Sequence, residues 1–471
     1  MYKMYREKVG GSISVFFAVT ITLMLSFCMV LIESARENTM LLKADVVFNA
    51  GVQSVMAEFH TALWEKYDLL YLDCGYGTGS GSYGLVKSHL KGYINKNLEF
   101  QNKGWLGLDY SGAKFTDVLL ATDYGGIDFY MQAINVAKAS IGVSYVEQAL
   151  SWFKEVESTY SMGNFLQSEA TDVTASINNV NGTEIEVKEA VWGTDIYGKS
   201  VLLEDAEYEV VDIENPLEQI LSANILLQQV IEDYSTISDI NVNSYELASH
   251  RPLAVGTMQN IHEDDSFGNK ILFCKYVMDH FACYGKQKNS DTKGLNCEME
   301  YLIGGKSSDR QNLEIVTAEL LLIREIDNYL LLLQDEARQL EAHGIATAAA
   351  SLVPWLEPVV YQAILIYWAY QESVQDVQAL FRGESVPLVK SLPLEGVSDF
   401  SLRYENYLLL LLLMQSKETL VMRSMDVIEV SLREEDASFQ MDACIGRACL
   451  TGEFYDKYNK KYMISKEIRY Y

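Results

Sequence analysis

An uncharged apolar segment close to the N-terminus constrains this chain more than any other feature. Residues 12–32 read SISVFFAVTITLMLSFCMVLI and contain no charge, proline or glycine. At ~1.5 Å per residue, a helix of this segment is ~31 Å long and matches a hydrocarbon core of ~30 Å. Its serine and threonine hydroxyls can bond to the helix backbone, so they do not prevent insertion. The sequence therefore predicts a transmembrane anchor, represented by Ser12, Phe16, Phe17, Leu23, Leu25, Phe27 and Ile32.

The charges that flank this segment predict its orientation. Most charged residues before it are basic and most of those that follow closely are acidic. They are Lys3, Arg6 and Lys8 before the segment and Glu33 and Glu37 after it. Because short basic tails stay in the cytoplasm, we expect a single-pass protein of the cell membrane, with residues 1–11 cytoplasmic and residues 33–471 extracellular. The apolar run is longer than that of a secretory signal peptide, so we expect the anchor to stay uncleaved.

The chain is also strongly acidic, which narrows its range of partners. It has 37 basic and 65 acidic side chains, a net charge of −28. A surface of this charge repels phosphate backbones, so nucleic-acid binding is not expected. We expect membrane lipid as one partner, and other envelope proteins or further copies of the anchor and stalk as others.

The residues around the anchor form a pattern. Residues 11–18 read GSISVFFA, the apolar segment is followed by Glu33 and the pair Ala35-Arg36, and residues 42–45 read LKAD. This order resembles the N-terminus of TadE/TadG-like proteins of the tight-adherence (Flp-type) pilus system. Those proteins have a glycine, an apolar anchor ending in an acidic residue and a small-Arg pair, and then a helix with a Leu-polar-Ala-Asp pattern. The resemblance implies a component of a pilus or secretion apparatus at the cell surface.

A second resemblance extends over nearly the whole chain. Residues 65–70, 298–309 and 404–408 read EKYDLL, EMEYLIGGKSSD and YENYL. They resemble an uncharacterised family of Gram-positive membrane-anchored surface proteins with the same N-terminus. Pilins cut by prepilin peptidase carry Glu five residues after the cleavage glycine, whereas Phe16 occupies that position after Gly11. The TadG-like type, which lacks that glutamate and stays anchored, is therefore the nearer match.

Hydrophobic periodicity predicts a helix-rich α+β fold. The helical pattern continues beyond the membrane segment as a stalk over residues 33–70. One face of this stalk is formed by Leu41, Val47, Val52, Val55, Met56 and Phe59. Four glycines within residues 73–82 interrupt the pattern. We then expect a mixed α/β part over 71–215 and a mainly helical part over 216–471.

Local signals give the elements of the mixed part. The sequence predicts helices near 84–97 and 126–156, an extended segment over 106–120, and strands within 160–213. Within the last range, Asn181-Gly182 is typical of a two-residue hairpin turn between strands.

Helix signals dominate the second part. Ser308 with Gln311 forms a capping box for a helix over 309–342, and Gly344 lies where a C-terminal cap is expected. Further helices are predicted over 358–382 and 401–434, and the tail after them has no assigned element.

Two apolar runs of the helical part are candidates for further membrane spans. Residues 359–370 and 408–414 are both too short to cross a bilayer. We therefore expect them in buried core helices.

The cysteines place few constraints on the fold. Cys28 lies in the apolar segment, and the six others permit 15 pairings. These six are Cys74, Cys274, Cys283, Cys297, Cys444 and Cys449. Because the intervening loops are short, we predict Cys283–Cys297 and Cys444–Cys449 disulfides, with free buried thiols as the alternative.

Two motifs resemble known ligand sites only in part. Residues 304–307 read GGKS, the end of a phosphate-binding loop, but Glu300 stands where the first glycine is required. Residues 109–113 read DYSGA, and Ala113 replaces the second hydroxyl of an Asp-x-Ser-x-Ser metal motif. Neither motif predicts a phosphate or metal site.

Two constellations of reactive side chains resemble functional sites. The first is a zinc site formed by Cys274, His280, Cys283 and Cys297, whose spacings are irregular for such a site. The second is the pair Glu372 and Asp376, four residues apart on a predicted helix. For that pair, a solvated helix face or a salt bridge to an arginine such as Arg324 is the simpler interpretation. We predict no catalytic, cofactor or metal residue.

These features together favour a structural or interaction protein of the cell surface. The anchor, the stalk and the resemblance to TadG-like proteins indicate an association with a pilus or secretion apparatus. The alternatives are a membrane-tethered enzyme that acts on a cell-envelope polymer and an extracellular ligand-binding domain.

Overall fold

A computed structural model of the chain describes residues 12–79, 81–101, 106–140, 143–217, 226–231, 235, 237–239, 241–259, 266–286, 294–390 and 401–470. The fold is α+β and helix-rich, as predicted. The helices are α1 Ser12–Met56, α2 Thr61–Tyr67, α3 Gly84–Gln101, α4 Asp123–Ser140, α5 Val143–Val180, α6 Leu226–Val230, α7 Phe267–His280, α8 Glu298–Gly304, α9 Asp309–Leu332, α10 Glu336–Ala349, α11 Glu357–Phe381, α12 Tyr404–Met414 and α13 Lys417–Leu432. The strands are β1 Leu72–Asp73, β2 Leu108–Leu120, β3 Glu184–Lys188, β4 Val191–Thr194, β5 Ser200–Glu204, β6 Glu207–Val210, β7 Val386–Pro387, β8 Ser401–Leu402, β9 Cys444–Asp456 and β10 Lys461–Arg469.

The chain divides into two compact units that do not follow the boundaries expected near residues 70 and 215. Unit 1 comprises residues up to Phe129, residues 253–262 and residues 438–471. Unit 2 comprises residues 130–252 and 263–437. The expected boundaries assumed that each part is continuous in sequence, whereas the C-terminal residues return to pair with strands near the N-terminus.

Unit 1 is built on an antiparallel sheet whose centre is β9. Strand β9 pairs with β10 along one edge and with β2 along the other, and its first residues also pair with β1. Buried and part-exposed residues alternate along most of β9, which is the pattern of a strand with one covered face. The sequence reading left this C-terminal segment without an element. The structure shows that it forms the middle of the sheet.

The second half of α1 covers this sheet. From Arg36 onward a buried residue recurs every three or four positions, which is the spacing of one helix face. These buried positions are Met40, Ala44, Val47, Phe48, Gly51, Val52 and Val55. Phe48 packs edge-on against Phe454 of β9 with ring centroids 6.1 Å apart. A Cβ on Gly452 would lie 2.5 Å from the Phe48 ring, so glycine is required for this close approach.

The predicted stalk is correct in part. The helix is continuous from the apolar segment, but it ends at Met56, and the separate helix α2 follows it. It is also not a free stalk, because Val47, Val52 and Val55 are buried. Leu41, which was placed on the same face, is instead 48 % exposed.

Unit 2 has a helical core. The long helices α9 and α11 pack against each other and both pack against α5, and α11 also packs against α10. Both apolar runs are buried as predicted: Leu408 to Leu413 are each at most 2 % exposed, and Ala363, Leu365 and Ala369 are fully buried. The capping prediction is also confirmed, since the Ser308 hydroxyl accepts the Gln311 N–H at the start of α9.

Three predictions for unit 2 were wrong. Strands β3 to β6 lie within 160–213 as predicted, but residues 160–180 are helical, and Asn181-Gly182 ends α5 instead of joining two strands. Gly182 has φ +78°, a conformation that serves a helix terminus as well as a hairpin. Gly344 lies inside α10, because the Asp335 carboxylate accepts the N–H groups of the next residues and starts a new helix early. The helix expected over 401–434 is divided into α12 and α13, with Ser416 capping the second.

Candidate functional site at the base of the apolar helix

The first half of α1 exposes its apolar side chains on every face. Between Ile13 and Ile32 its large apolar residues are 52–72 % exposed. The predicted anchor residues Phe16, Phe17, Leu23, Leu25, Phe27 and Ile32 all belong to this set. Ser12 begins the helix, and its side chain lies outside the described part of the structure. Of the described helices, α1 alone is long and apolar enough to span a membrane.

Arg36 marks the point where α1 changes from exposed to buried. Its side chain is 4 % exposed. The guanidinium Nε and Nη2 donate to the two oxygens of Glu33 at 3.0 and 2.7 Å, and Nη1 donates to Asp456 Oδ2 at 3.0 Å. The group also lies 4.8 Å from the centroid of the Tyr458 ring. Arg36 is therefore held by its own helix and by the sheet at the same time.

Asp456 is the partner that joins this arginine to the turn between β9 and β10. Its Oδ1 accepts the N–H groups of Tyr458 and Lys460 at 2.8 and 2.9 Å. Burial alone would raise the pKa of Asp456, but these N–H donors and the Arg36 guanidinium lower it. The hydrogen bonds from Arg36 likewise lower the pKa of Glu33. The cluster therefore favours a charged arginine between two charged carboxylates.

We call the Arg36–Asp456 ion pair the clamp of α1. Further contacts between α1 and the rest of unit 1 add to it. Lys460 pairs with Glu37, and Lys466 of β10 pairs with Asp45 at 2.7 Å. The Lys43 ammonium donates to the Leu106 carbonyl at 2.9 Å. The polar side of the buried half of α1 is thus tied to strands and loops that lie far from it in sequence.

A second cluster fixes the opposite end of the helix. The Glu58 carboxylate, just beyond α1, accepts the hydroxyls of Tyr76 and Tyr93 at 2.6 Å each and contacts His89 Nδ1 at 2.9 Å. The Tyr470 hydroxyl donates to the Met56 carbonyl at 2.8 Å. Although burial would raise the pKa of Glu58, these three donors lower it. Both ends of the buried half of α1 are consequently held by hydrogen-bonded carboxylates.

The physical consequence is a joint in which the exposed apolar half of α1 continues without a break into the half that covers the sheet of unit 1. No break in the helix separates the exposed segment from the half of α1 that is buried in the core. Glu33, Arg36 and Glu37 follow the apolar segment directly. Charged side chains are costly in hydrocarbon, so these three residues mark the end of the segment that is apolar enough to span a membrane.

The cysteines give one correction. Cys444 and Cys449 lie on the same strand, β9. At ~3.3 Å per residue their Cα atoms are roughly 16 Å apart, beyond the ~7 Å that a disulfide can bridge. The predicted Cys444–Cys449 disulfide is therefore wrong.

The other predicted pair is compatible with the fold. Cys283 and Cys297 lie on adjacent segments, where the Met299 N–H donates to the Ala282 carbonyl at 2.9 Å. Both are free thiols in the structure, and burial raises the pKa of each. Their disulfide stays a prediction.

Glu372 and Asp376 are engaged in salt bridges. Asp376 accepts from Arg324 at 3.1 Å and from Lys390 at 2.6 Å, which confirms the arginine partner proposed from the sequence. Glu372 pairs with Arg338. Arg324 is fully buried and also bridges to Asp327 at 3.1 Å. The two carboxylates therefore serve different ion pairs.

The remaining ligand motifs fall in ordinary structural positions. Gly305 adopts a left-handed conformation, φ +64°, at the end of α8, and the Lys306 N–H is bound by Asn312. Residues 109–113 lie within β2. Over the described ranges, no group of three or more His, Cys, Asp and Glu side chains is arranged to hold a metal ion.

Sequence reasoning missed the sheet partners of Arg36. Asp456, Tyr458 and Lys460 lie in the C-terminal tail, for which the sequence predicts no element. A partial signal was present: the apolar residues Tyr462, Ile464 and Ile468 fall on one face of a period-2 pattern, and residues 456–459 read DKYN, a composition typical of a turn. Nothing in the sequence, however, indicated which helix the turn would contact.

The fold and this joint define a class: an α+β protein with one N-terminal helix of membrane length that continues into its core. Residues 206–455, just over half of the chain, match the Family of unknown function (DUF5702). The protein belongs to that family. No curated protein and no solved structure matches the chain.

Proposed function

We propose that this protein is a single-pass, membrane-anchored protein of the cell surface with a structural or interaction role. The apolar half of α1 would cross the bilayer with Lys3, Arg6 and Lys8 on the cytoplasmic side. Units 1 and 2 would then lie outside. The single observation that carries the proposal is the continuous helix α1, whose apolar half is exposed and whose second half is clamped to the sheet through Arg36 and Asp456.

The clamp favours a mechanical role over simple tethering. A soluble domain can be held at a membrane by a flexible linker. Here the linker is replaced by a helix whose buried face, from Met40 to Val55, belongs to the core of unit 1. This arrangement keeps unit 1 in a fixed orientation to the apolar helix, as an assembled surface structure requires.

The proposal includes association with a TadG-like pilus or secretion apparatus. Its support is the resemblance of residues 11–18, 33–36 and 42–45 to that group. In such an assembly the apolar half of α1 would pack laterally against other helices in the bilayer, and the outer units would contact envelope proteins.

Membrane retention tests the anchor. Leu23→Arg together with Leu25→Arg places two charges at the centre of the segment, each costing roughly 3 kcal/mol for insertion. We expect the full-length wild type to stay in membranes after alkaline carbonate washing and this variant to appear in the soluble or degraded fraction. Leu340→Arg is the matched control, because Leu340 is 76 % exposed on α10 of unit 2. Equal retention of all three proteins would contradict the anchor.

Orientation is tested with epitope tags on intact and permeabilised cells. We expect a tag placed after Tyr471 to be accessible to antibody on intact cells once the cell wall is removed. A tag before Met1 should require permeabilisation. The reverse pattern would overturn the proposed surface role.

Lateral packing of the anchor can be tested with its own cysteine. Cys28 is exposed on the apolar half of α1. Mild oxidation of isolated membranes should therefore produce a covalent adduct through Cys28, either with a second copy or with a neighbouring helix. Cys28→Ser is the control and should give no adduct. Absence of any Cys28-dependent adduct would count against packing through this face.

A further inference from the structure

Residues 184–210 of unit 2 form a ribbon that is exposed on both faces, which we call the β-arm. Its first and last strands pair as β3 with β6, and its middle strands pair as β4 with β5. Of the strand residues, only Ile185 and Gly193 are partly shielded from solvent. An isolated two-stranded ribbon of this kind is only marginally stable in water.

The base of the β-arm is nevertheless firmly attached to unit 2. The Asn181 side chain donates to the Ile213 carbonyl and accepts the Ile213 N–H, both at 2.9 Å. The Gly182 N–H donates to the Val211 carbonyl at 2.7 Å. Val211 and Ile213 are buried in the helical core. The base of the β-arm is therefore fixed on unit 2, whereas its strands extend into solvent.

The far end of the β-arm is ordered by a single carboxylate. Asp195 Oδ1 accepts the N–H groups of Tyr197 and Lys199 at 2.8 and 2.9 Å. Gly198 adopts φ +79° and closes the turn. As a result Ile196 and Tyr197 project into solvent and are 92 % and 84 % exposed. Turns usually place polar residues at such positions, so this apolar tip needs another explanation.

Residues 190–203, the tip half, present an apolar surface. Its exposed large side chains are Val191, Trp192, Ile196, Tyr197, Val201, Leu202 and Leu203. Trp192 lies directly opposite Leu202 in the β4–β5 pair, and clustered exposed apolar side chains of this kind mark an interaction site. Tyrosine and tryptophan are also the residues that most often dominate binding energy at interfaces.

The stem half, residues 184–189 and 204–210, is strongly acidic. The β-arm has eight acidic and two basic residues, and seven of the eight acidic residues lie in the stem. One of the two lysines, Lys188, already pairs with Glu204. The β-arm therefore combines an apolar tip of balanced charge with a negative stem.

The apolar tip and the acidic stem together favour one kind of binding partner for the β-arm over others. A second copy would bring an equally acidic stem and a chain of net charge −28, so like charges would oppose pairing. An anionic lipid surface would repel the stem in the same way. A protein whose apolar cleft is bordered by Lys and Arg complements both halves.

We propose that the β-arm docks into a partner protein that presents an apolar cleft for the tip and a basic rim for the stem. The inference rests on the interaction role proposed above and adds the surface and the chemistry of the partner. Preorganisation by Asp195 and by the Asn181 clamp would reduce the entropy lost on binding.

Site-specific photocrosslinking in the full-length protein tests this directly. A benzoyl-phenylalanine at Trp192 probes the tip, and the same residue at Trp355 is the matched control, since both tryptophans are about two-thirds exposed on unit 2. In cells we expect an adduct with one protein from position 192 and none with that protein from position 355. In isolated membranes, raising salt from about 0.1 M to about 1 M shortens the Debye length from ~10 Å to ~3 Å. The adduct should then decrease severalfold.

A variant that lacks most of the β-arm supplies a second test. Ile185 and Glu209 are directly opposite each other in the β3–β6 pair, so residues 186–208 can be replaced by a two-residue Asn-Gly turn. Unit 2 should keep its melting temperature, because the excised residues lie beyond the attached base. Co-purification of the identified partner with the full-length protein should be lost in this variant.

The outcomes separate the two proposals. An adduct with a second copy of this chain, an adduct with lipid, or a salt-independent adduct would overturn the partner assigned here. No adduct from position 192, in a protein that stays in membranes with its C-terminus outside, would overturn this inference alone. A specific, salt-sensitive adduct in a protein with the reverse topology would instead overturn the proposed surface function.

Discussion

Glu300 provides the sharpest test of the structure of unit 2. This carboxyl group lies on α8 and is completely buried. Oε1 accepts the Tyr284 N–H at 2.8 Å and the Tyr404 hydroxyl at 2.7 Å, whereas Oε2 is buried with no hydrogen-bond partner. Burial raises the pKa of Glu300 from 4.5 to about 7, against the lowering effect of its two donors.

The pKa shift gives a stability change of known sign. Because the folded state holds the proton more tightly than the unfolded chain, the contribution of Glu300 is fully present below about pH 4.5. It is lost as the pH rises through about 7. At ~1.4 kcal/mol for each pKa unit, the loss is roughly 3 kcal/mol.

Glu300→Gln removes this titration while keeping an oxygen that can accept from Tyr284 and Tyr404. The buried amide costs on the order of 1–3 kcal/mol at every pH, because its N–H groups replace an unpaired oxygen. The free energy of unfolding of both full-length proteins, measured by urea titration in detergent micelles between about pH 4.5 and about pH 8, is the readout. We expect the difference between the variant and the wild type to shift by roughly 3 kcal/mol in favour of the variant as the pH rises.

Other titrating groups cancel in this difference, including Glu325, whose pKa burial also raises to about 7. Tyr404→Phe is a second control. It removes a donor that lowers the pKa of Glu300, so the transition should extend to higher pH. A pH-independent difference in unfolding free energy between wild type and Glu300→Gln would refute the reasoning, since it would mean that folding does not raise the pKa of Glu300.

Three further predictions concern stability and use the same unfolding assay. Arg324→Met should cost about 3–5 kcal/mol, because it removes a fully buried cation that bridges Asp327 and Asp376. Arg338→Met, which breaks a more exposed ion pair, should cost under ~1 kcal/mol, and equal costs would contradict this account. Phe48→Ala should cost about 3–5 kcal/mol, because the side chain is fully buried against the sheet; a cost below ~1 kcal/mol would mean that α1 is not docked there. Asp335→Ala should cost about 1 kcal/mol through loss of the cap of α10, whereas Asp335→Asn should cost much less.

Local signals predicted several elements because their causes lie within a few residues. The apolar segment predicted the exposed half of α1, the Ser308 hydroxyl predicted the start of α9, and the short apolar run at 408–414 predicted a buried helix. In each case one side chain or one run of neighbouring side chains is sufficient to predict the element. The same signals failed at Gly344, where a competing cap at Asp335 started a new helix first.

The candidate site shows the limit of this reasoning. The charge pattern indicated that Glu33 and Arg36 follow the anchor, and the i, i+3 spacing permits their ion pair. The partner Asp456 lies 420 positions from Arg36. No local preference of either residue specifies that contact, and it exists only because β9 and β10 form the sheet that α1 covers.

The sequence by itself determined that this protein has one apolar helix of membrane length, a strongly acidic chain and a helix-rich α+β fold, since composition and short-range periodicity are properties of neighbouring residues. The tertiary structure alone decided that the helix is clamped between Arg36 and Glu58, that the C-terminal tail forms the centre of a sheet, and that the β-arm stands free in solvent. These depend on which distant surfaces bury each other, a choice that is made by packing and not by any segment alone.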